Sequence, residues 1–327
     1  RETLYKSLAP SRRAEAHARV LEALEQSANP PEELAHHAQQ AVSIVGVTRT
    51  LGAIHSAAAR AQRVLAFEAA VLLLERALAV AQLADDRSRI ETLLALGPAK
   101  IRAGDAPGGA SACSQAGALA RAHADAELLA RAALAYGSDY TPGVTDATLL
   151  GLLDEALSGL APEDGALRAR VLARKAAVLQ PAPDPLVPIA IAREAIAMAR
   201  RLGDEECCRH VLSAACSALV YFADPAERAP LDREMVELAT RAGDRLQALI
   251  GVGRLEFALI ELADRTGADA QMGAYTKLAQ ELRQPRYQLR PLLMLSLRAA
   301  LDGRPAEAER HLEQARGVAS RTDDRTT

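Results

Sequence analysis

Three cysteines and one histidine lie close together in this chain and could bind zinc or sense oxidants: Cys207, Cys208, Cys216 and His210. On a helix, however, Cys208, Leu212 and Cys216 fall at i, i+4 and i+8, as small buried residues do. Cys207 should point about 100° away from that face, and no second cysteine pair completes a tetrahedral site. The pattern therefore predicts packing in a core rather than metal binding.

The glycines, lysines and acids do not form a signature of catalysis. A phosphate-binding loop needs Gly-Lys followed by Ser or Thr, and none of the four lysines follows a glycine. Gly251 and Gly253 lack the third glycine of a dinucleotide site. The pairs Glu205-Glu206 and Asp323-Asp324 stand where helices should begin, and there they suit the helix dipole. We expect this chain to have no enzymatic activity and to bind no metal or cofactor.

Aromatic residues are scarce, with six Tyr, three Phe and no Trp. Four of them are predicted to lie at helix ends or in the loops that follow: Tyr136, Tyr140, Tyr221 and Phe222. Aromatic side chains are common anchors of binding surfaces, but at a helix end they also fill gaps between neighbouring helices. These four are the candidate residues for binding a partner or ligand.

The elements that would position them follow a repeat. Seven residues each open a new apolar run, at separations of 39 to 41 residues: Asp85, Asp125, Asp164, Asp204, Asp244, Pro285 and Asp324. Self-similarity at a fixed period indicates stacked supersecondary units. A composition that is half apolar and poor in aromatics suits close packing of Ala- and Leu-rich helices. The sequence predicts an all-α fold, a right-handed α-solenoid of about seven antiparallel helix pairs over residues 46–327.

Each pair is predicted to contain a helix A and a helix B. At Gly203-Asp204 and Gly243-Asp244, the glycine would end helix B in the left-handed conformation and the aspartate would cap the next helix A. The connections from A to B are predicted to be longer and to lie along one edge of the stack. They are residues 104–109, 137–143, 181–188, 223–230 and 301–305.

Three helices share a rhythm in which a small residue, four positions later a middle residue and three positions later another small residue lie on one face, and the small residues should let neighbouring helices approach closely. The three sets are Ala70, Leu74 and Ala77; Gly109, Cys113 and Ala116; and Ala308, Leu312 and Ala315. This rhythm resembles the second half of a tetratricopeptide repeat. A HEAT-like stack remains the alternative, because the period exceeds the usual length of about 34 residues.

Residues 1–45 do not share the repeat. Ser11 is predicted to cap a helix that runs to about Gln26. Four residues are predicted to share the apolar face of this helix: Ala16, Val20, Ala23 and Leu24. Glu32-Glu33 should open the next helix, and His36-His37 within it lack the i, i+4 spacing of a zinc pair, so we predict a structural role for them.

The stretch RETLYKSLAPSRRAEAHARVLEALE, followed by PEELAHHAQQA, resembles the join between the ATPase module and the repeat region of bacterial STAND-type signalling ATPases. The repeats that follow resemble the same family. The resemblance implies that residues 1–45 are the tail of a winged-helix or linker segment, and that this chain is a fragment of a longer protein. ATP and Mg²⁺ would belong to an upstream ATPase module outside this chain. The output module would be a DNA-binding domain, a nucleotide cyclase or a protein kinase.

Charge and hydropathy narrow the partners. The net charge is -3 and no basic stripe is present, so we expect no direct contact with nucleic acid. No apolar run reaches 18 residues, so we expect no membrane span and a cytoplasmic protein. The expected partners are a protein or small effector on the repeat surface and the upstream ATPase module, and homo-oligomers are left open. The alternative is a free-standing assembly scaffold without ligand switching.

Overall fold

The computed structural model describes residues 9–27, 29–139, 146–282 and 285–320. Within these ranges the chain forms 17 α-helices and one short 3₁₀ helix, and no strand. From α1 to α8 and again from α10 to α17, consecutive helices pack against one another and are joined mostly by short connections, which makes them antiparallel neighbours. The prediction of an all-α fold built from tandem helix pairs is confirmed.

The helices, in chain order, have the following bounds: α1 Pro10–Glu25, α2 Pro31–Gln40, α3 Val42–Val45, α4 Val47–Arg63, α5 Phe67–Ala81, α6 Asp86–Arg102, α7 Ala106–Ala122, α8 Ala126–Tyr136, α9 Ala147–Gly159, α10 Ala166–Leu179, α11 Leu186–Leu202, α12 Glu205–Leu219, α13 Pro225–Arg241, α14 Arg245–Glu261, α15 Arg265–Leu282, α16 Pro285–Leu301 and α17 Pro305–Ala319. The 3₁₀ helix is Gly137–Asp139. The chain divides into two compact units, residues 1–140 with 151–160, and residues 141–150 with 161–327. No helix of the described residues is long and apolar enough to cross a membrane.

Aspartate side chains cap helix after helix. In α6, α8, α12 and α14, the preceding aspartate accepts a hydrogen bond from a backbone N–H of the first turn, as predicted for Asp85, Asp125, Asp204 and Asp244. The same cap recurs halfway between them, because Asp105, Asp224 and Asp264 accept from the N–H groups of Gly108, Ala226 and Gly267. The predicted period of about 40 residues therefore contains two capped helices.

Of the three remaining predicted junctions, one lacks the cap, one opens a helix as predicted, and the last cannot be compared. Asp164 does not cap a helix, because α10 begins after Gly165 and the Asp164 carboxylate accepts from Arg201 at 2.6 and 3.0 Å. Pro285 opens α16, where its missing N–H is harmless in the first turn. Asp324 lies outside the described residues.

The helix ends follow the predicted geometry. Gly203 and Gly243 have φ of 68° and 69°, in the left-handed region that glycine adopts without steric cost. Ala124 and Ala263 occupy equivalent positions between two helices with φ of 51° and 58°, although an alanine is strained there.

The predicted long A-to-B connections are wrong at several places. Residues 103–105 and 302–304 form links of only three residues, as short as the B-to-A link at 242–244. Pro188 and Pro230 lie inside helices rather than in loops. A B-to-A connection, residues 160–165, is six residues long instead. Breaker residues misled the sequence reading because Gly and Pro also fit the caps and first turns of helices.

The predicted small residues do bring helices together. Ala70, Ala77, Cys113 and Ala116 are all at most 1% exposed. Helices α6 and α7 approach so closely that a Cβ on Gly109 would lie 2.6 Å from the carbonyl oxygen of Gly97. Leu312, the middle residue of the third set, is the exception, since it is 40% exposed on α17.

Helix α1 differs from its prediction in two ways. It begins at Pro10, and Ser11 lies inside the first turn instead of capping it. Its buried face consists of Ala14, His17, Ala18 and Leu21, whereas the predicted face is turned outward and Val20 is 41% exposed. The predicted stripe is wrong because His17, a polar residue, lies with Ala14, Ala18 and Leu21 on the buried face. Helix α2 starts with Glu32 and Glu33 in its first turn, as predicted.

We predict opposite effects for two substitutions at helix ends in the second unit. Gly203→Val should lower the free energy of unfolding by about 1 kcal/mol or more, because valine is strained at positive φ. Ala263→Gly should raise it by about 0.5 kcal/mol, because strain relief exceeds the added entropy of the unfolded chain. Thermal melts followed by circular dichroism check both, and an unchanged melt of Gly203→Val would contradict the assigned helix end.

A second matched pair tests the close approach in the first unit. Gly109→Ala should destabilise by about 1–3 kcal/mol, because the new methyl group meets the backbone of Gly97, which cannot rotate away. Gly52→Ala in α4 should stabilise by about 0.5–1 kcal/mol, because nothing lies within 4 Å of the added Cβ. Denaturant titrations measure both. Equal changes of the unfolding free energy, in the same direction for both variants, would argue against a packing constraint at Gly109.

Candidate functional site

Three of the four predicted binding aromatics lie within the described residues, one in the first unit and two in the second. Tyr136 is the last residue of α8 in the first unit and is half-buried. Tyr140 lies outside the described residues. Tyr221 and Phe222 stand side by side in the connection between α12 and α13, in the second unit, and are 69% and 38% exposed. The structure thus brings together Tyr221 and Phe222, and their role in binding stays a prediction.

A buried arginine holds the turn that carries these two rings. Arg228, at the start of α13, is 2% exposed. Its Nε donates to the carbonyl oxygen of Ala223 at 2.9 Å and its Nη1 to that of Val220 at 2.5 Å. Its Nη2 donates to the carboxylate of Glu261, at the end of α14. Charge-assisted hydrogen bonds from this buried side chain to both ends of the turn fix the backbone of the turn.

Aromatic contacts add to this support. The rings of Tyr221 and Phe257 meet edge to face, with centroids 5.7 Å apart and an interplanar angle of 74°. The guanidinium of Arg228 lies 5.8 Å from the centre of the Phe257 ring, within the range of a cation–π interaction. Tyr221 is therefore exposed but leans on a fixed surface, which lowers the entropy that it would lose on binding a partner.

Other apolar side chains are exposed in the A-to-B connections of the same unit or beside them. They are Leu186 and Val187 at the start of α11, Leu262 after α14, and Leu301 at the end of α16, between 42% and 67% exposed. Together with Tyr221 and Phe222 we call these residues the apolar edge. Its exposed rings and leucines make it the candidate interaction surface of the second unit.

The cysteines pack in the interior, as predicted, but with one difference. Cys207 is 2% exposed and Cys208 only half-buried, the reverse of the predicted order, because α12 packs against α10 and α11 as well as α13. Desolvation raises the pKa of Cys207, Cys208 and Cys216 above the usual range and that of Cys113 to about 12. Such thiols stay protonated and poorly reactive.

The two predicted structural histidines have a partner that the sequence reading missed. His37 shares a hydrogen bond of 2.8 Å with His17, Nδ1 to Nδ1, which joins α1 to α2. The ring of His36 lies 5.6 and 5.2 Å from those of His17 and His37. Burial and neighbouring histidines lower the pKa of His17 and His37. Among the described residues no group of three or more His, Cys, Asp or Glu is arranged to hold a metal ion.

Comparison with protein-family models finds no match for this chain. Comparison with curated proteins finds no match either.

Solved structures include similar folds. One, described as a Signal Transduction ATPase with Numerous Domains (STAND) protein with a tetratricopeptide repeat sensor from Pyrococcus horikoshii, matches 95% of this chain at 13% identity with a TM-score of 0.54. The match covers 53% of that protein, so this chain spans about half its length. At this identity the likeness shows a shared helical-repeat fold.

Two other solved structures match less well. BtubC from P. vanneervenii is 18% identical over 79% of this chain and 93% of that one, with a TM-score of 0.43. A circular tandem repeat protein is 15% identical over 94% of this chain and 89% of that one, with a TM-score of 0.25. Both scores are too low to indicate a shared fold.

We predict that Arg228→Met loosens the turn of Tyr221. The amide groups of Phe222 and Ala223, which donate to the carbonyl oxygen of Leu219, should exchange with solvent about tenfold faster or more, because the turn loses its charged support. Hydrogen exchange measured by mass spectrometry checks this. The control is Arg193→Met, which removes an exposed pair with Glu227 and should change stability by less than about 0.5 kcal/mol. Unchanged exchange at Phe222 and Ala223 would show that Arg228 does not fix the turn.

Proposed function

We propose that this chain is the partner-binding or effector-sensing repeat region of a multidomain signalling ATPase of the STAND type. Binding of a protein or small effector on the repeat surface would be coupled to an upstream NTPase and to an output module that regulates transcription or acts as a cyclase or kinase. The helical-repeat fold shared with a STAND protein supports this proposal. The resemblance of residues 1–45 to the ATPase–repeat join of bacterial members supports it as well.

The observation that carries the binding role is the pre-formed turn of Tyr221 and Phe222. An arginine that is 2% exposed is costly to bury, and here its hydrogen bonds to Val220, Ala223 and Glu261 secure this one turn and the end of the next helix A. The result is an exposed tyrosine on a rigid support, the arrangement that gives aromatic anchors their affinity. A tyrosine that only filled a gap between helices would not be 69% exposed.

ATP chemistry belongs, in this proposal, to the upstream module. The chain has no Gly-Lys step that could cradle phosphates. We therefore expect the isolated chain to bind no ATP and to show no hydrolysis, and we place the whole protein in the cytoplasm. The chain contributes a binding surface and conformational coupling. A partner that holds several helices in one arrangement changes the conformational equilibrium of an attached module.

The test of the proposed function starts with capture of partners from a lysate of the source cells, using the full chain as bait. Captured components are identified by mass spectrometry, purified and titrated. Tyr221→Ala and Phe222→Ala should each weaken binding by about 1–3 kcal/mol. The control is Leu83→Ala, which truncates a side chain that is 76% exposed in the first unit and should leave affinity unchanged.

Coupling requires a second readout. ATP hydrolysis by the longer protein that contains this chain should change when the captured component is added, and Tyr221→Ala should shift that response to higher concentration. A component that binds at the apolar edge without altering hydrolysis would favour the free-standing scaffold. Full affinity in both aromatic variants would remove the turn from the binding site.

A further inference from the structure

A small cavity, open to solvent on one side, lies between α14, α15 and α16 in the second unit. Its volume is about 20 Å³, room for one water-sized group. Apolar side chains form most of its wall, chiefly Ile260, Met272, Met294 and Leu297. The charged residues Glu256, Asp269 and Arg298 also line it, and Asp269 and Arg298 pair with each other. One carboxylate, that of Glu256, has no such close partner.

Glu256 is an unusual residue for the inside of a helical array. Its side chain is 3% exposed, and its Oε2 accepts no hydrogen bond from any described residue. The nearest cation is Arg290, whose Nη2 lies 3.7 Å from Oε2, beyond hydrogen-bond distance. Burial raises the pKa of Glu256, and the charge of Arg290 opposes that shift. Burying an acceptor without a hydrogen-bond donor costs free energy. A ligand that supplies a donor to the Glu256 carboxylate would offset that cost.

Arg290 is held in place by other contacts. Its Nη2 donates to the carbonyl oxygen of Gly253 at 2.5 Å, and its guanidinium lies 5.6 Å from the centre of the Tyr275 ring. Its Nε is buried and also lacks a hydrogen-bond partner. A Cβ on Gly253 would lie 2.9 Å from that Nε, so the glycine makes room for the arginine beside α14. These contacts keep the guanidinium from closing on Glu256.

The surface beside the cavity is apolar. Leu293, Leu297 and Leu301 follow one another at i, i+4 and i+8 on α16 and are 38%, 38% and 64% exposed. Two methionines line the cavity itself, and methionine side chains adapt to the shape of what they contact. An entering group would therefore pass along leucine and methionine and end at a carboxylate.

We infer that this cavity binds a primary ammonium group carried on an unbranched alkyl stem, the chemistry shared by a lysine side chain and a free alkylamine. An ammonium is about the size of a water molecule and brings three donors that it can aim at one carboxylate, whereas a guanidinium presents its donors in a fixed planar fork. The alkyl stem would cover Leu297 and Met294, as the stems of lysines cover apolar surfaces elsewhere. The cavity adjoins the apolar edge at Leu301 but is not lined by Tyr221 or Phe222, so substitution of Glu256 and substitution of the two aromatics test the two proposals separately.

The four methionines of the chain provide the test. With ¹³C-labelled methyl groups, the signals of Met272 and Met294 report on the cavity, and those of Met198 and Met235, which are 4% and 0% exposed elsewhere in the same unit, serve as controls. Titration of the full chain with n-butylammonium should shift Met272 and Met294 in a saturable way. Sodium butanesulfonate and 1-butanol, which carry the same stem without the cation, should not. Absence of a shift, or equal shifts with all three compounds, would overturn the inference.

Substitutions then assign the shift to the carboxylate. Glu256→Gln keeps the size of the side chain and should weaken n-butylammonium binding about tenfold or more, because it removes the charge that the ammonium meets. Glu234→Gln, at an exposed acid of the same unit that pairs with Arg200, should leave binding unchanged. Native Met198 and Met235 signals show that each variant is folded. If Glu256→Gln does not fold, Ala268→Val narrows the cavity and should abolish the shifts. Binding that survives in the folded variant would overturn the assignment.

Two further probes distinguish the sources of the ammonium. Lysine amide acetylated at its α-nitrogen carries the ammonium group on a peptide unit. Cadaverine is a free diamine. Tighter binding of the first, lost on acetylation of its Nζ, indicates a lysine of a protein partner. Tighter binding of cadaverine indicates a small amine.

Discussion

The structure depends on how closely neighbouring helices approach. No helix here can hide its apolar face alone, so each must lie against the next, and the distance between them is set by alanine and glycine. An example is the contact of α6 with α7, where a single methyl group on Gly109 would reach the carbonyl oxygen of Gly97. The shortage of aromatic residues is a consequence, because large rings would push these helices apart.

Close packing also dictates the turns, and the turns carry the surface that we assign to binding. The three-residue connections 103–105, 123–125, 242–244 and 262–264 each have a residue at positive φ followed by an aspartate that caps the next helix. The connection of Tyr221 and Phe222 ends with such a cap but is longer, and a buried arginine stabilises the extra residues. The same arginine bonds to Glu261 on the following helix A, so the turn is fixed by its neighbour in the stack.

Much of the fold could be predicted from the sequence, because the period and the caps are local signals. Gly203-Asp204 and Gly243-Asp244 each predict a helix end and the next start within two residues, and both are present. Tertiary contacts were not predictable in this way. In the sequence, Arg228 cannot be told from a surface arginine, and only the structure shows its bonds to Val220, Ala223 and Glu261. Asp164 likewise has the sequence signature of a cap, but its carboxylate accepts a hydrogen bond from Arg201. Only part of the candidate site could be predicted, because Tyr221 and Phe222 can be recognised in the sequence, whereas the contacts of Arg228 and Phe257 with their turn cannot.

The central claim is that each helix is stabilised by its immediate neighbours. Native-state hydrogen exchange under increasing denaturant tests it most directly in the second unit. Helix α12 packs against α10, α11 and α13, whereas α17 packs against α16. If stability is a sum of neighbour contacts, amides of α17 should open at lower free energy than those of α12, with α14 and α15 between them. A single opening free energy shared by all of these helices would contradict the account.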